Sequence, residues 1–381
     1  MLNIGIPKET ADRETRVAMT PTIAKQLINK GFAISVETNA GSLSNFSDKD
    51  YEDVGANISK RDDVFKAQIV AKINPPNNDE INLMEKGSVL ISLLFAQSNT
   101  ETLKLLAKQQ ISAFSLDAIP RTSLAQSMDV LSSQANLAGY KAVILGGAEM
   151  GKIFPMLMTS AGTIKPSTVV IFGAGVAGLQ AIATAKRLGA NVWVSDIRPE
   201  TKEQVQSLGG KFIEVEGDSS IKTEGGYVKG VSDEFLKKQQ EAVTEKVINA
   251  DLVITTALIP GKKAPLLIPD EMLAKMKPGS VIVDMAVSQG GNCASSELNK
   301  VIEKNGVKIV GEGNLPGTLP INASELLAKN IQNFIQHLTD DDGNFKWDTD
   351  DEITAGSLII KEGDVFQASL KELIQPELIK A

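Results

Sequence analysis

Three glycines, spaced by one and by two residues, lie between an apolar run and a helix-forming stretch. They are Gly173, Gly175 and Gly178, after the run Thr168–Phe172. The first lets the chain turn off a strand, the second lets the backbone approach a pyrophosphate, and the third lets the helix pack against the sheet. Asp196 closes the next apolar run, where a carboxylate can hold a ribose hydroxyl. The spacing predicts a dinucleotide-binding site. The alternative is a glycine-rich turn in a sheet that no longer binds a ligand.

Asp196 also indicates which dinucleotide the site would take. A carboxylate accepts hydrogen bonds from a ribose 2′-hydroxyl and repels a 2′-phosphate, so Asp196 favours NAD over NADP. Arg198 lies two residues later and would suit a phosphate. Because it falls outside the strand end, we expect Arg198 to be a solvated residue near the start of a helix.

The chemistry is indicated by the residue types that are missing. The only histidine is His337, at the end of an apolar helical stretch, and we expect it to be a surface or packing residue. The only cysteine is Cys293, which excludes an internal disulfide and is expected to be a buried, inert thiol. The sequence contains no cluster of cysteines and histidines of the kind that binds a metal ion. Hydride transfer between two nicotinamide rings needs no acid or base, only a ring separation of roughly 3–3.5 Å.

A polar cluster suited to holding such a ring follows the run Ala113–Leu116. Its members are spaced by three and four residues and would lie near one helical face, with an arginine in the approach loop; they are Arg121, Gln126, Asp129, Ser132 and Ser133. A purely structural role is the alternative. Ser123 or Ser127 would then cap the helix, and Arg121 and Asp129 would form a surface ion pair that contributes less than ~1 kcal/mol.

Length and composition limit the class of protein. The chain has 381 residues, enough for two domains, with 42% hydrophobic and 23% charged residues, as in ordinary globular proteins. A net charge of −8 leaves no basic surface for nucleic acid. The longest apolar run, Val89–Ala96, is shorter than the ~20 residues that cross a bilayer. The start of the chain does not resemble a signal peptide, so we expect a cytoplasmic protein.

Apolar strand-like runs alternate with helical patterns in two series, which predicts an α/β fold with two Rossmann-like, doubly wound parallel sheets. The helix-rich stretch Ser132–Thr159 is expected to be helix that crosses from one domain to the other, and the apolar periodic stretch Ser324–Leu338 is expected to cross back. We predict a discontinuous first domain, 1–135 plus 324–381, and a nucleotide-binding domain, 136–323. The tail Asn344–Ala381, with a turn at 362–364, would complete the first domain. The nucleotide would lie in a cleft between the domains.

The polar stretch Glu214–Glu234 is unusually long for a loop within a compact domain. Such loops are usually functional or disordered. Tyr227 follows two glycines and would be the tip of a lid that closes over the nucleotide. A flexible insertion without function is the alternative.

Over its whole length the sequence resembles the NAD(H)-binding subunits of proton-translocating nicotinamide nucleotide transhydrogenases. The polar cluster from Arg121 to Ser132 looks like that family's loop at the nicotinamide ring, and the glycine turn with Asp196 matches its nucleotide motif. Further stretches match in the same order: 224–227, 256–261, 284–286 and 289–292. The resemblance implies that Gln126 orients the dihydronicotinamide, while Arg121, Asp129 and Ser132 position its surroundings. It also implies a nucleotide-binding set of Gly173, Gly175, Val176, Gly178, Asp196, Arg198, Tyr227, Ala257 and Asn314.

The function implied by this resemblance is hydride transfer from NADH on this chain to NADP⁺ on a partner subunit. A membrane-spanning proton-channel subunit would couple the transfer to proton movement. The chain would pair as a homodimer and lie in the cytoplasm, peripheral to the inner or cytoplasmic membrane through its partners. No metal is expected.

Alanine dehydrogenase is the second resemblance, carried by Ile4–Lys8 and Arg16–Pro21. That family requires a lysine, a histidine and an aspartate where this chain has Asn74, Phe95 and Ser288. The loss of acid–base groups costs imine chemistry about 10²–10⁴-fold for each function removed. Arg16 and Lys72 remain, so a residual carboxylate site stays open. A third possibility is a non-catalytic NAD(H) sensor.

Overall fold

The structure is a computed structural model that describes residues 2–214, 222–224, 227–229, 233–259, 262–340 and 343–374. The chain divides into two compact units. The first consists of residues 1–134 and 317–381, and the second of residues 135–316.

Six parallel strands form most of the sheet of the first unit. They are β1 (Asn3–Ile6), β2 (Ala33–Glu37), β3 (Asn57–Ser59), β4 (Ile69–Ala71), β5 (Val89–Ser92) and β6 (Ser112–Ser115). Their spatial order is β3-β2-β1-β4-β5-β6, the doubly wound order in which the winding reverses beside β1. Between them lie the helices α1 (Pro21–Ile28), α2 (Asp48–Glu52), α3 (Arg61–Phe65), α4 (Asn78–Leu83) and α5 (Thr100–Lys108).

The central strands of this sheet are buried on both faces. Every residue of β4, β5 and β6 is buried, which is typical of parallel strands covered by helices on either side. Apolar faces of α1 and α5 cover them, through Leu27 of α1 and Leu103 and Leu106 of α5, all with no exposed surface. The alternation of strands and helices in the sequence therefore reflects one apolar layer between two helical layers.

One long helix, α6 (Val130–Glu149), contains the division between the units. The second unit continues with β7 (Leu157–Thr159), β8 (Gly162–Ile164), β9 (Thr168–Phe172), α7 (Val176–Arg187), β10 (Asn191–Ser195), α8 (Thr201–Ser207), β11 (Lys211–Phe212), β12 (Lys222–Glu224), β13 (Tyr227–Lys229), α9 (Asp233–Ile248), β14 (Leu252–Thr255), α10 (Asp270–Leu273), β15 (Val281–Asp284), β16 (Val301–Lys304) and β17 (Val307–Val310).

The main sheet of the second unit is also doubly wound. Its order is β11-β10-β9-β14-β15-β17-β16, with β9 at the reversal of winding. All neighbours are parallel except the hairpin β16–β17. Every residue of β14 and β15 is buried. The carboxyl ends of β9 and β14 meet at the reversal, where open α/β sheets bind ligands.

The chain then completes the first unit with α11 (Pro320–His337), α12 (Glu352–Ser357), β18 (Leu358–Lys361), β19 (Asp364–Val365) and α13 (Ala368–Ile374). β18 and β19 extend the first sheet beyond β6 as an antiparallel hairpin around the turn that the sequence predicted. His337 lies at the end of α11, and its Nε2 is 2.7 Å from Oδ2 of Asp351. Asp351 also caps α12, so the expectation that His337 packs structurally is confirmed.

The predicted fold class is confirmed: the chain is α/β, with two doubly wound, mainly parallel sheets. Two local expectations were wrong. The stretch Ser132–Thr159 is not helical throughout, because α6 ends at Glu149 and the chain forms the hairpin β7–β8. The stretch Glu214–Glu234 is not without structure, because β12 and β13 pair antiparallel within it. Of the helices described, none is long and apolar enough to cross a bilayer.

Candidate functional site

In the turn after β9, two of the predicted glycines lie in close contact with neighbouring atoms, one with a side chain and one with the backbone. Gly173 has a left-handed backbone (φ +95°), and a Cβ there would lie 2.4 Å from Oγ1 of Thr256. A Cβ on Gly178 would lie 1.9 Å from the carbonyl oxygen of Gly173. Neither position has room for a side chain, so both glycines hold α7 close to the end of β9.

Gly175 differs from the other two glycines because nothing in the described protein requires it. Its φ is −78°, and a Cβ would meet no atom within 4 Å. It precedes Val176, the first residue of α7, which is 42% exposed. The position therefore provides an open cradle beside the backbone, and a pyrophosphate would fit there.

The start of α7 is suited to an anion. No side chain among the described residues caps it, and its first turn contains no acidic residue, while Lys186 and Arg187 lie in its last turn. The first amides of a helix have no intrahelical partner and carry the positive end of the helix dipole. The donors and the field at this end therefore match the negative charge of a phosphate group.

Asp196 joins the glycine turn to the end of β10. Its Oδ2 accepts a hydrogen bond of 2.7 Å from the backbone N–H of Ala174, and its side chain is only 5% exposed. Arg198 folds back onto it, with Nε 3.0 Å from Oδ1 and Nη2 2.9 Å from Oδ2. The expectation that Arg198 is solvated was therefore wrong, because the guanidinium pairs with the carboxylate that the sequence assigned to a ribose.

A second loop at the same sheet edge follows β14. Oγ1 of Thr256 donates to the carbonyl oxygen of Phe172 at 2.8 Å and so fixes this loop to the end of β9. The backbone of Ala257 is held on both sides by Asn292, whose side chain accepts from the Ala257 N–H and donates to its carbonyl oxygen. Asn314, after β17, is half-buried, and its N–H donates to Glu312.

A buried carboxylate organises these loops. Asp284 has no exposed surface and accepts hydrogen bonds from the amides of Ala286, Asn292 and Cys293 and from the hydroxyls of Thr255 and Ser296. Sequence reasoning quoted this position only as part of a motif and missed its role. A signal was present, since a lone aspartate closes an otherwise apolar buried strand.

Cys293 lies beside Asp284 and is 2% exposed, so its predicted burial is confirmed. Burial raises the pKa of its thiol, and the charge of Asp284 adds to this increase. A raised pKa disfavours the thiolate, which is the reactive form. Cys293 is thus a packing residue of the loop and not a nucleophile.

In the first unit, the predicted ring-binding loop stands on a buried base. Ala125 and Met128 are buried, and the side-chain amides of Asn330 and Asn333 donate to the carbonyl oxygen of Ser127. Gln126 begins a 3₁₀ turn and is exposed. Arg121 is also exposed. The loop thus has a fixed base and presents its amide and guanidinium groups to solvent.

Asp129 and Ser132 form the cap of α6. Oδ1 of Asp129 accepts from the Ser132 N–H at 2.8 Å, and Oδ2 accepts from the Ser132 hydroxyl at 2.6 Å. This corrects two expectations. The cluster does not share one helical face, because Gln126 precedes the helix, which begins at Val130. The cap is Asp129, not Ser123 or Ser127, and within the described part of the chain no ion pair joins Arg121 to Asp129.

Two buried cations of the first unit are engaged by internal carboxylates. Arg16 makes a two-point contact with Glu14, at 2.8 and 2.7 Å, and both side chains are buried. Nζ of Lys72 lies 2.9 Å from Glu80 and 3.8 Å from Glu9. The amide of Asn74 bridges Glu9 and Glu14.

The pKa values of these carboxylates reflect their contacts. Burial raises the pKa of Glu9, against the lowering effect of Lys72. Burial also acts to raise the pKa of Glu14, but hydrogen bonding and attraction from Arg16 outweigh it and hold that pKa below its usual value. Arg16 and Lys72, which the sequence left as a possible site for a substrate carboxylate, are thus already paired with carboxylates of the chain itself.

Phe95 and Ser288, which stand where alanine dehydrogenase has acid–base residues, are both exposed. Phe95 has a left-handed backbone (φ +45°), held by the carboxylate of Asp117, which accepts its N–H at 3.1 Å. Tyr227 begins strand β13, but its side chain lies outside the described residues, as do Gly225 and Gly226. The predicted lid therefore stays a prediction.

Two family models cover most of the chain. The N-terminal domain of alanine dehydrogenase/PNT matches residues 5–138, and the C-terminal domain matches residues 142–368. The chain is 46% identical, over 379 residues, to the first portion of the NAD(P) transhydrogenase alpha subunit of Rhodospirillum rubrum, with 97% of this chain and 99% of that protein covered. It is 32% identical over 326 residues to alanine dehydrogenase of Bacillus subtilis, with 83% of this chain and 80% of that protein covered.

A solved structure shows a similarity to a transhydrogenase as well. The crystal structure of transhydrogenase from Sinorhizobium meliloti matches with a TM-score of 0.87 and 42% identity, covering 95% of this chain and 99% of that one. These matches support an oxidoreductase role and imply nicotinamide nucleotides as its reactants. The chain belongs to the alanine dehydrogenase/PNT family, with NAD(P) transhydrogenase alpha subunits as close homologues and alanine dehydrogenases as further relatives.

Proposed function

We propose that this chain is the NAD(H)-binding component of a proton-translocating transhydrogenase. It passes hydride between NADH and NADP⁺ held by a partner subunit, and membrane-spanning subunits couple the transfer to proton movement. The observation that carries the proposal is the similarity along nearly the whole chain to a relative whose name makes it one portion of a divided transhydrogenase alpha subunit. That name implies further subunits, which supports the dependence on partners.

NAD(H) would bind at the winding reversal of the second sheet. The amides at the start of α7 would hold the pyrophosphate, with Gly173, Gly175, Val176 and Gly178 shaping the approach. Asp196 would accept a ribose hydroxyl from the position in which Ala174 and Arg198 hold it. Arg198, Tyr227, Ala257 and Asn314 complete the proposed nucleotide-binding set.

The nicotinamide end would be held by the loop from Arg121 to Ser132. Asp129 and Ser132 fix the loop by capping α6, while Arg121 and Gln126 are exposed and free to contact a ring. In this proposal Gln126 orients the dihydronicotinamide. Its amide can donate and accept at once, which suits a carboxamide.

The chemistry requires only positioning. A bound nicotinamide nucleotide supplies or accepts the hydride: NADH loses one hydride to become NAD⁺, and NADP⁺ gains it to become NADPH. Electrons and atoms balance without a proton at the site. The chain fits this need, since its single histidine is engaged with Asp351. Alanine oxidation would instead need a proton carrier and a carboxylate-binding cation, and Arg16 and Lys72 are paired internally.

We propose a homodimer, for which the hairpin β7–β8 offers a surface. All six of its strand residues are exposed. Its apolar side chains include Met158, 73% exposed, and Leu157 and Ile164, each 44% exposed. A lone two-stranded hairpin is marginally stable in water, and exposed apolar patches mark interaction sites. With its partners, the chain would lie at the cytoplasmic side of the membrane as a peripheral component.

The first test is reconstitution with membranes that contain the partner subunits. We expect the purified chain to bind NADH, to leave alanine unoxidised, and to restore reduction of an NADP⁺ analogue. Gln126→Asn should slow single-turnover hydride transfer about 100-fold, because a misplaced ring affects the transition state, while the Kd for NADH changes less than about threefold. Gln110→Asn, an exposed residue that precedes β6 at the opposite sheet edge, is the matched control.

Two results would contradict this scheme. NAD-dependent amination of pyruvate by the chain alone would indicate an alanine dehydrogenase. Tight NADH binding without any reconstituted transfer would indicate a sensor.

The second prediction concerns the open cradle. Gly175→Ala should leave the melting temperature unchanged, because a Cβ there meets no atom of the described residues within 4 Å. The same Cβ would enter the space assigned to the pyrophosphate, so the Kd for NADH should rise about tenfold or more, or about 1.4 kcal/mol. Gly151→Ala, also free of contacts, is the control. Unchanged NADH affinity in a folded Gly175→Ala variant would show that the pyrophosphate does not bind at this turn.

The third prediction concerns cofactor choice. Asp196→Ala should weaken NADH binding and relax discrimination against NADPH, because it removes a carboxylate that repels a 2′-phosphate and that pairs with the guanidinium of Arg198. The double variant with Arg198→Ala should lose the gain in NADPH affinity. Titration of both nucleotides measures the ratio. If Asp196→Ala keeps the wild-type ratio, Asp196 does not select the cofactor.

The fourth prediction concerns assembly. Met158→Asp should shift the chain from dimer to monomer in sedimentation, because burial of a charge in an apolar contact is costly. Ser160→Asp, in the exposed turn of the same hairpin, should stay dimeric. A Met158→Asp dimer as stable as the wild type would place the interface elsewhere.

A further inference from the structure

Helix α6 touches the first turn of α7 backbone to backbone. A Cβ added to Gly139 of α6 would lie 2.0 Å from the carbonyl oxygen of Ala177 and 3.0 Å from its Cα. Ala177 is the second residue of α7, next to Val176. Gly139 is buried and its backbone is helical, so neither solvent nor a left-handed φ explains a glycine here.

The two helices are not equally free to move apart. On α6 the residues around Gly139 are fixed in the core of the second unit, since Ala138, Ala142 and Val143 are buried in it. On α7 the later residues Ala181, Ile182 and Ala185 are buried in the same core. The first two residues of α7 lie at the margin of this core, since Val176 is exposed and Ala177 is half-buried. A side chain on Gly139 would therefore displace the first turn of α7.

We propose that Gly139 is a positioning residue for the dinucleotide. The backbone of α6 at Gly139 supports the first turn of α7 and holds its free amides where the pyrophosphate binds. The inference rests on the proposed binding of NAD(H) to α7. It adds a residue outside the glycine turn, on a different helix, that sets the place of the anion-binding amides.

Other glycines of α6 have a different environment and provide the control. A Cβ on Gly147 would lie 2.5 Å from Cε2 of Phe154. The carbonyl oxygen of Phe154 accepts a hydrogen bond from the N–H of Ser167, directly before β9, at the sheet edge opposite the start of α7. Glycine-to-alanine substitution within a helix changes intrinsic helix stability by a similar amount at either site. Gly147→Ala therefore reproduces the effect on α6 without touching the nucleotide turn.

The test compares ligands with and without a pyrophosphate. Gly139→Ala should raise the Kd for NADH and for ADP about tenfold or more, while the Kd for adenosine changes less than about threefold. Gly147→Ala should leave all three within about threefold. Equal weakening of adenosine and ADP in Gly139→Ala would indicate general damage and overturn the proposal, as would wild-type ADP affinity in the folded variant.

Hydrogen exchange in the wild-type protein keeps the proposal testable if Gly139→Ala does not fold. ADP should slow amide exchange in peptides that cover the start of α7 and in those that cover residues 136–142 of α6, whereas adenosine should slow neither. Protection of α7 without α6 would overturn the proposal. If the wild type binds neither NADH nor ADP, the proposed function itself fails, and this outcome is distinct from the others.

Discussion

The second unit is organised around the contact between the carbonyl oxygen of Gly173 and Gly178. That oxygen would lie 1.9 Å from a Cβ on Gly178, so only a glycine at this position lets α7 begin this close to the end of β9. Groups from three further parts of the chain reach this turn and the start of α7: Asp196 directly after β10, Thr256 in the loop after β14, and Gly139 in α6. The fold holds the amides of α7 from several sides before any ligand arrives.

Such preorganisation fits a reaction that depends on position. When no proton has to move, the rate depends on the distance and angle between two rings, and small displacements are costly. The polar groups of the second unit are arranged accordingly. The fully buried carboxylate of Asp284 fixes the loops after β14 and β15 through its hydrogen bonds, and Asn292 holds the backbone of Ala257 at both ends. These groups fix the scaffold and are not free to act as acids or bases.

Sequence reasoning recovered the regular parts of this design and missed the parts set by long-range contacts. The doubly wound sheets followed from alternating apolar runs, and the glycine turn from its spacing, because both depend on local backbone geometry. The antiparallel hairpin β7–β8 and the pairing of β12 with β13 were missed, since short exposed strands carry little periodicity. The pairing of Arg198 with Asp196 was also missed, because two residues that are both suited to a nucleotide can instead satisfy each other.

The polar cluster from Arg121 to Ser132 shows how residues of one motif divide into different physical roles. Asp129 and Ser132 bond to each other at the start of α6, so a substitution at either changes the helix as well as any ligand contact. A loss of activity in such variants therefore does not identify a contact with a ring, since removal of a helix cap alone costs about 0.5–2 kcal/mol. Gln126 stands in a turn anchored by its neighbours Ala125 and Met128, and its own side chain supports nothing in the described chain. A substitution at Gln126 therefore tests the orientation of a ring without changing the stability of the loop. Substitutions at Asp129 or Ser132 change both.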